Sequence, residues 1–265
     1  MADILERPAG AVHVAPTIRA ITFADVKAAL LEGVEDFNRA PVIGALFGAV
    51  YAFGGIILLA CVFALDLGYL AYPLFAGSVL IGPFVAAGLY DVSRELEAGR
   101  TPTLRGVLST VFAQRKRELG WMAFVTIFAF IIWMYQVRLL LALFLGFASF
   151  GTMQEFMRVL FTTSDGLSFL AVGHVVGAAL ALGLFSITVV SFPLLMDRDL
   201  DVVTAMITSV QAVLLSPGPM IAWGMTVVAV LFIGAAPCFL GLIVVLPVLG
   251  FATWHLYRRV ISPAA

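Results

Sequence analysis

Apolar and polar positions along this chain fall into long blocks. Six runs are apolar almost without interruption: Val42–Leu65, Leu70–Tyr90, Leu119–Leu140, Ser168–Leu195, Gly218–Ala235 and Cys238–Tyr257. A bilayer core of about 30 Å is crossed by roughly 20 apolar residues in helical form. In lipid, only helices and closed barrels pair every backbone polar group, and these runs are too long and too evenly apolar for barrel strands. The pattern predicts six transmembrane helices. The last two runs almost touch, so Ala236-Pro237 is expected to form the turn between them. The third stays apolar past Arg138, through LLLALFLGFASF to Phe150. Either this helix is long and tilted with Arg138 buried, or it ends near Arg138, where a long side chain snorkels to the headgroups, with an interfacial helix after it; the second is the expectation. The stretch from Phe150 to Asp165, with Glu155 and Arg158, is expected to lie along the outer surface.

Three shorter blocks have helical periodicity and lead directly into spans. In the first, Phe23, Val26, Leu30, Val34 and Phe37 share a face, with Thr22 as the expected N-cap and Asp25 three residues on. In the second, Leu104, Val107, Leu108, Val111 and Phe112 recur at helical spacing, and Val203, Met206, Ile207, Val210, Val213 and Leu214 do so in the third. Pro41 and Pro217 end the first and third of these helices and begin the spans that follow. The second span of each unit carries a proline toward its cytoplasmic end: Pro83, Pro193 and Pro247. The expected fold is therefore all-α: a flexible N-terminus over residues 1–20, then one six-helix membrane domain over 21–261. That domain is built from three units, about 21–100, 101–199 and 200–261, each an amphipathic interfacial helix followed by a transmembrane hairpin. The repeat is parallel, unlike the inverted repeats of many carriers. The interfacial helices are expected to brace the bundle in the inner interface; docking of another protein is the alternative.

Composition agrees with this pattern. Hydrophobic residues make up 62% of the 265 and charged residues 12%, about half the charge of a soluble domain. A soluble enzyme, a nucleic-acid binder and a disordered chain are excluded. The net charge of −1 gives no basic excess for nucleic acid. Lysine and arginine are unevenly placed: thirteen of the fifteen fall on one side of the six-span arrangement, leaving Arg138 and Arg158 on the other. By the positive-inside rule both termini are cytoplasmic. The first 20 residues lack an apolar signal-peptide core, so the first span is expected to serve as its own signal. Cys61 and Cys238 lie in apolar runs and are expected to be buried thiols rather than a disulfide or a zinc site.

Four blocks carry a resemblance: IRAITFADVKAALLEGVEDFNRAPVIGALFGAVYAFGG, LIGPFVAAGLYDVSRELEAGR, FPLLMDRDLDVVTAMITSVQAVLLSPGPMIAWG and LIVVLPVLGFATWHLYRRVI. Together they resemble a family of bacterial integral membrane proteins, domain of unknown function 2189, over roughly Pro16 to Ile261; between Thr101 and Gly166 little beyond hydrophobicity matches. The resemblance implies a bacterial inner-membrane setting and no established activity. Some members carry a cytochrome c oxidase subunit I label.

The residues do not support that label. An oxidase core needs about six histidine ligands for two haems and a copper, and this chain has three histidines, His13, His174 and His255. His174 and His255 fall on opposite sides of the midplane, separated by roughly half the bilayer, too far to share one iron. His255, beside Trp254 and Tyr257, reads as an interfacial anchor. His174, inside span four, is a functional candidate, though an interhelical hydrogen bond accounts for it as well. Gly173-xxx-Gly177 and Gly44-xxx-Gly48 allow close helix packing and only weakly suggest a homodimer. No carboxylate falls well inside a span. Asp91, Arg94 and Glu95 are expected to pair with Asp197, Arg198, Asp199, Arg258 and Arg259 in a salt-bridge collar at the cytoplasmic rim. No phosphate loop, HExxH, GxSxG or CxxC is present. No cofactor is expected. The candidate functional or packing residues are His174, Pro83, Pro193, Pro247, Asp91, Arg94, Asp197 and Arg258. The expected role is a non-catalytic scaffold, assembly factor or accessory subunit of a larger inner-membrane complex, respiratory or photosynthetic. Its partners would be membrane lipids and other integral membrane proteins. The alternative is a transporter or channel for a small apolar solute or lipid, with the prolines opening helix carbonyls to a cavity.

Overall fold

The computed structural model describes residues 16–61, 71–114, 118–146 and 153–262. In chain order the helices among them are α1 (Phe23–Arg39), α2 (Pro41–Leu59), α3 (Ala71–Glu97), α4 (Leu104–Gln114), α5 (Glu118–Leu145), α6 (Met153–Thr162), α7 (Ser164–Thr188), α8 (Ser191–Asp197), α9 (Val202–Leu215), α10 (Pro217–Ala235) and α11 (Leu242–Val260). A short amphipathic helix precedes a pair of long helices three times, as α1 with α2 and α3, α4 with α5 and α7–α8, and α9 with α10 and α11. The helix α6 is additional to that pattern.

Local signals set several boundaries. Thr22 caps α1 by a complete capping box with Asp25, satisfying two backbone N–H groups that the helix leaves open. Pro41 and Pro217 occupy the first turns of α2 and α10, where the missing N–H does no harm. Pro193 breaks the long fourth run: α7 stops at Thr188 and α8 resumes at Ser191. The Val190 N–H freed at this break is taken up by Ser209 Oγ at 3.1 Å. By contrast α3 continues through Pro83 and α11 through Pro247.

Four helical stretches among the described residues are long and apolar enough to cross a membrane: Pro41–Leu59, Gly120–Leu145, Ser164–Asp197 and Pro217–Ala235. They correspond to expected spans one, three, four and five. The segments of expected spans two and six are also helical, as α3 and α11, but α11 ends in the polar sequence WHLYRR.

Three expectations are corrected. The third run does not stop at Arg138. Helix α5 passes through it, with Arg138 exposed on its surface, because leucine and alanine after it favour the helix. The helix ends instead before Gly146, whose φ of 64° is a left-handed terminator. The turn before α11 is longer than Ala236-Pro237. It extends to Gly241, with Cys238 and Phe239 both at positive φ. Cys238 is consequently exposed, while Cys61 is buried. Phe239 anchors this turn, its ring lying where a Cβ on Gly55 of α2 would stand.

Residues 16–20, assigned above to a flexible extension, include a β-bridge. Ile18 pairs antiparallel with Ile261; the Arg19 N–H donates to the Val260 carbonyl at 2.7 Å and the Ser262 N–H to the Thr17 carbonyl at 3.0 Å. Both described chain ends thus meet at one end of the bundle.

Packing is concentrated at that same end. The larger core cluster joins α1 through Val26 and Ala29, α8 through Leu194 to Met196, and α9 through Ala205, Ala212 and Val213. It reaches α10 through Met220 and Trp223, and the last turns of α11 through Trp254, Leu256, Tyr257 and Val260. A second cluster joins Phe47 of α2, Val85, Leu89, Val92 and Leu96 of α3, Val107 of α4 and Phe251 of α11. The opposite end of the bundle is thinly packed, and in α5 only 6% of the apolar window is buried.

The face that α1 buries differs from the one its large residues suggest. Val26, Ala29, Gly33 and Asp36 are buried, whereas Phe23 is 64% and Leu31 60% exposed. A Cβ on Gly33 would stand 2.6 Å from the Val248 carbonyl and 2.7 Å from Ala252 Cβ. The two helices cross on small residues, which lets their backbones approach. The larger side chains of α1 face outward, as those of an interfacial helix do.

Candidate functional site

The close crossing of α1 and α11 brings together residues more than 200 positions apart. Two spacings meet there. On α1, Glu32 and Asp36 stand one turn apart; on α11, His255 and Arg259 do the same. The helices run antiparallel, so bases meet acids. His255 Nε2 lies 2.7 Å from Asp36 Oδ2, and its Nδ1 lies 3.3 Å from Glu32 Oε2. Arg259 donates two hydrogen bonds of 2.7 Å to the two Glu32 oxygens and lies 3.8 Å from Asp25. From α3, Ser93 donates to Asp36 Oδ2 at 2.7 Å. Asp36 is 4% exposed, so its partners stand in for the water it has lost.

The opposite face of the same α11 turns carries a second set. The Tyr257 hydroxyl donates to Asp197 Oδ2 at 2.6 Å, and Arg258 bridges Asp197 at 3.4 Å and Glu97 at 3.0 Å. The Trp254 indole N–H donates to Glu97 at 3.1 Å. On α3, Asp91 is 2% exposed and paired with Arg94, which also donates to the Met196 carbonyl at 3.0 Å. Arg198 lies 3.9 Å from Asp197 and donates to the Ser262 carbonyl. The polar tail of α11 is therefore a keystone that ties α1, α3 and α8 together.

The electrostatics follow from these contacts. The paired hydrogen bonds from Arg259 hold the Glu32 carboxyl below the usual glutamate range and raise the guanidinium in turn. Asp25 is lowered by the hydrogen bond from Thr22. Glu95, on the exposed rim, is lowered by its paired bonds from Arg100, at 2.7 Å each. Among the described residues every buried side-chain nitrogen or oxygen has a partner, and no group of three or more histidine, cysteine or acidic residues is placed to hold a metal.

The charges expected in a collar gather at one end, but Arg94 pairs with Asp91 and Glu95 with Arg100 rather than with the charged residues of α8 and α11. Arg258 meets Asp197, but Asp91 pairs within its own helix and Arg259 turns to α1. The sequence reading missed Glu32, Asp36, Ser93, Glu97, Trp254 and Tyr257. A signal for the first two was available: Val26, Ala29, Gly33 and Asp36 lie on one helical face, and small residues mark a close crossing. His255 is not an interfacial anchor; it faces the buried Asp36.

His174 lies elsewhere, on the open side of α7. Its Nδ1 is 2.7 Å from the Leu170 carbonyl one turn back, so the interhelical bond expected of it is replaced by one within its own helix. It lines a groove of about 440 Å³ between α5 and α7, with Trp133, Gln136, Leu140 and Phe169 among the other walls. Both Gly-xxx-Gly pairs serve packing within this chain. Trp133 covers Gly177, and Gly44 and Gly48 receive Pro247, Phe251 and the backbone at Leu242 and Ile243. Pro193 is buried in the core beside the α7–α8 break and Pro247 is buried in α11; neither lines this groove.

A comparison with known families gives a match over about half of the chain. The model of DUF2189, described as a predicted integral membrane protein, matches residues 71–197, from α3 to the end of α8. No curated protein and no solved structure matches the chain. The match is narrower than the resemblance read from the four blocks. It takes in the stretch between Thr101 and Gly166 and omits the first and last blocks, which hold α1 and α11, and most of the third. Over residues 71–197 the chain is similar to DUF2189, a family of predicted integral membrane proteins.

Proposed function

We propose that the protein is a non-catalytic subunit, scaffold or assembly factor of a larger membrane complex in a bacterial inner membrane. The observation behind this reading is α5. It is 28 residues long and evenly apolar, and its surface offers Trp121, Phe124, Phe128 and Tyr135 outward. Aromatic residues of this kind dominate the centres of protein interfaces. The polar groups at the packed end support the same reading, since they are taken up in pairs that join helices.

In this proposal α3 and α11 complete a six-span bundle with both termini cytoplasmic. The bridge between Ile18 and Ile261 supports an even number of crossings. Cys238, exposed in the turn before α11, then faces the outer side. A membrane-impermeant maleimide should label it in intact cells; labelling only after lysis would sink this topology.

The role is tested by mild-detergent extraction of the tagged protein from its native membranes, with mass spectrometry and an absorption spectrum. A stoichiometric membrane-protein companion, lost when Trp121, Phe124 and Phe128 are replaced together by leucine, is expected. Recovery of this chain alone from every mild detergent would overturn the proposal. The groove between α5 and α7 is the observation that favours the second reading, a carrier for an apolar solute or lipid. Uptake of such a solute into vesicles containing the purified protein would favour that reading instead.

A further inference from the structure

The α5–α7 groove contains two side chains with polar groups that the fold leaves over. His174 Nδ1 faces the Leu170 carbonyl at 2.7 Å. A carbonyl can only accept, so Nδ1 carries the proton, and in the neutral ring Nε2 is left as an acceptor. Among the described residues neither Nε2 nor the Gln136 amide has a hydrogen-bond partner. Both line the same groove, whose other walls are Trp133, Val137, Leu140, Phe169, Leu170 and small or aliphatic residues of α7.

Depth makes these groups significant. His174 is six residues into the apolar run that begins at Ser168, about 9 Å along the helix axis at 1.5 Å per residue, within a long helical stretch that runs on to Asp197. Water is scarce at that depth, so an unmatched acceptor is costly. Polar side chains inside spans commonly mark a functional site. The groove opens on the thinly packed side of the bundle, so lipid has access to it.

We propose that this groove binds a membrane amphiphile bearing a hydroxyl group. Its O–H donates to His174 Nε2, the Gln136 amide supplies the second polar contact, and its chain lies along Trp133, Leu140 and Phe169. Aprotic lipids fill the groove but leave the imidazole acceptor unmatched, and the hydroxyl confers the preference. The inference holds whether the protein acts as a scaffold or as a carrier, since a subunit can hold a structural lipid.

The test uses the full chain in nanodiscs and two probes, dibromostearyl alcohol and its methyl ether. Bromine quenches tryptophan on contact, and Trp133 forms a wall of the groove. The alcohol should reach half-quenching at a mole fraction about five- to tenfold lower than the ether, the range expected from one additional net hydrogen bond. The preference should vanish in Trp133→Phe, which removes the groove's reporter and leaves only the outward-facing Trp121 to be quenched alike by both probes, and in His174→Leu, which removes the acceptor. It should persist in His174→Gln, which keeps an acceptor, and weaken in Gln136→Leu. Trp223 and Trp254, buried at the other end, report by unchanged emission that each variant is folded. Equal quenching by the two probes in the wild-type protein overturns the proposal, as does a preference that survives in folded His174→Leu.

Discussion

The two ends of the bundle are held together by different physics. At the end where the chain termini meet, α1 and α11 cross on Gly33 and Ala252 with almost no space between backbones. Their flanks are locked by Asp36, Glu32, His255 and Arg259, and α3, α8 and α9 close around them. Away from that end, α5 and α7 pack unevenly: Trp133 covers Gly177, but a Cβ on Gly173 would find only Leu140 at 3.9 Å, and one on Gly183 nothing within 4 Å. Lipid tails are as apolar as leucine, so there is little hydrophobic gain in burying α5 against its neighbours. The close end needs small residues and matched charges; the far end is left free for lipid or another protein.

The same substitution at both ends gives the sharpest contrast. Gly33→Leu forces a side chain against the Val248 carbonyl, which is backbone and cannot turn aside. It should lower stability by more than about 3 kcal/mol or prevent folding. Gly183→Leu should leave the melting temperature in detergent nearly unchanged. Similar melting for the two variants would remove the distinction between the ends. Next in size is Asp36→Ala, which strands His255 and Ser93 without their acceptor and should cost about 2–4 kcal/mol. Asp36→Asn, which keeps the shape and one acceptor, should fall between it and the wild type in the same melts.

Acid should weaken the close end in a particular window. Because Arg259 depresses the Glu32 carboxyl, the contribution of this pair is fully present above the ordinary glutamate value of 4.5. It is lost as pH falls through the lower folded value. Below pH 4.5 the wild type should lose stability more steeply than Glu32→Gln, by less than about 1 kcal/mol because the carboxyl is part-exposed. Parallel acid limbs for the two proteins would contradict that assignment. The smallest effect is expected for Arg100→Ala. Its pair with Glu95 is formed at the exposed rim, where salt screens it, and melting curves should superimpose on the wild type at moderate salt.

Much of the close end was written locally. Thr22 and Asp25 announce the start of α1, and Pro41 and Pro217 announce α2 and α10, because capping and proline effects act within a turn or two. The apolar runs fix the class for the same reason, since about 20 residues in a row decide whether a segment enters lipid. Where local signals were weak, the reading slipped. Nothing near Arg138 stops a helix, so α5 ran on to Gly146. The turn after α10 outruns Ala236-Pro237, because two non-glycine residues at positive φ leave no mark in the sequence.

Local patterns name the parts: apolar helices, three amphipathic helices, a charged tail on the last helix and a histidine inside the fourth apolar run. Their pairings come from the folded arrangement. It turned Ala29 and Gly33, not Phe23 and Leu31, toward α11. It set His255 against Asp36, 219 residues away, and gave the Ile21 and Val190 N–H groups their acceptors in Ser216 and Ser209. The physical reason is that a helix presents several faces of similar hydrophobicity, and in lipid hydrophobicity does not choose among them. Close approach of small residues and the matching of buried charges make the choice, and both depend on two helices being present together.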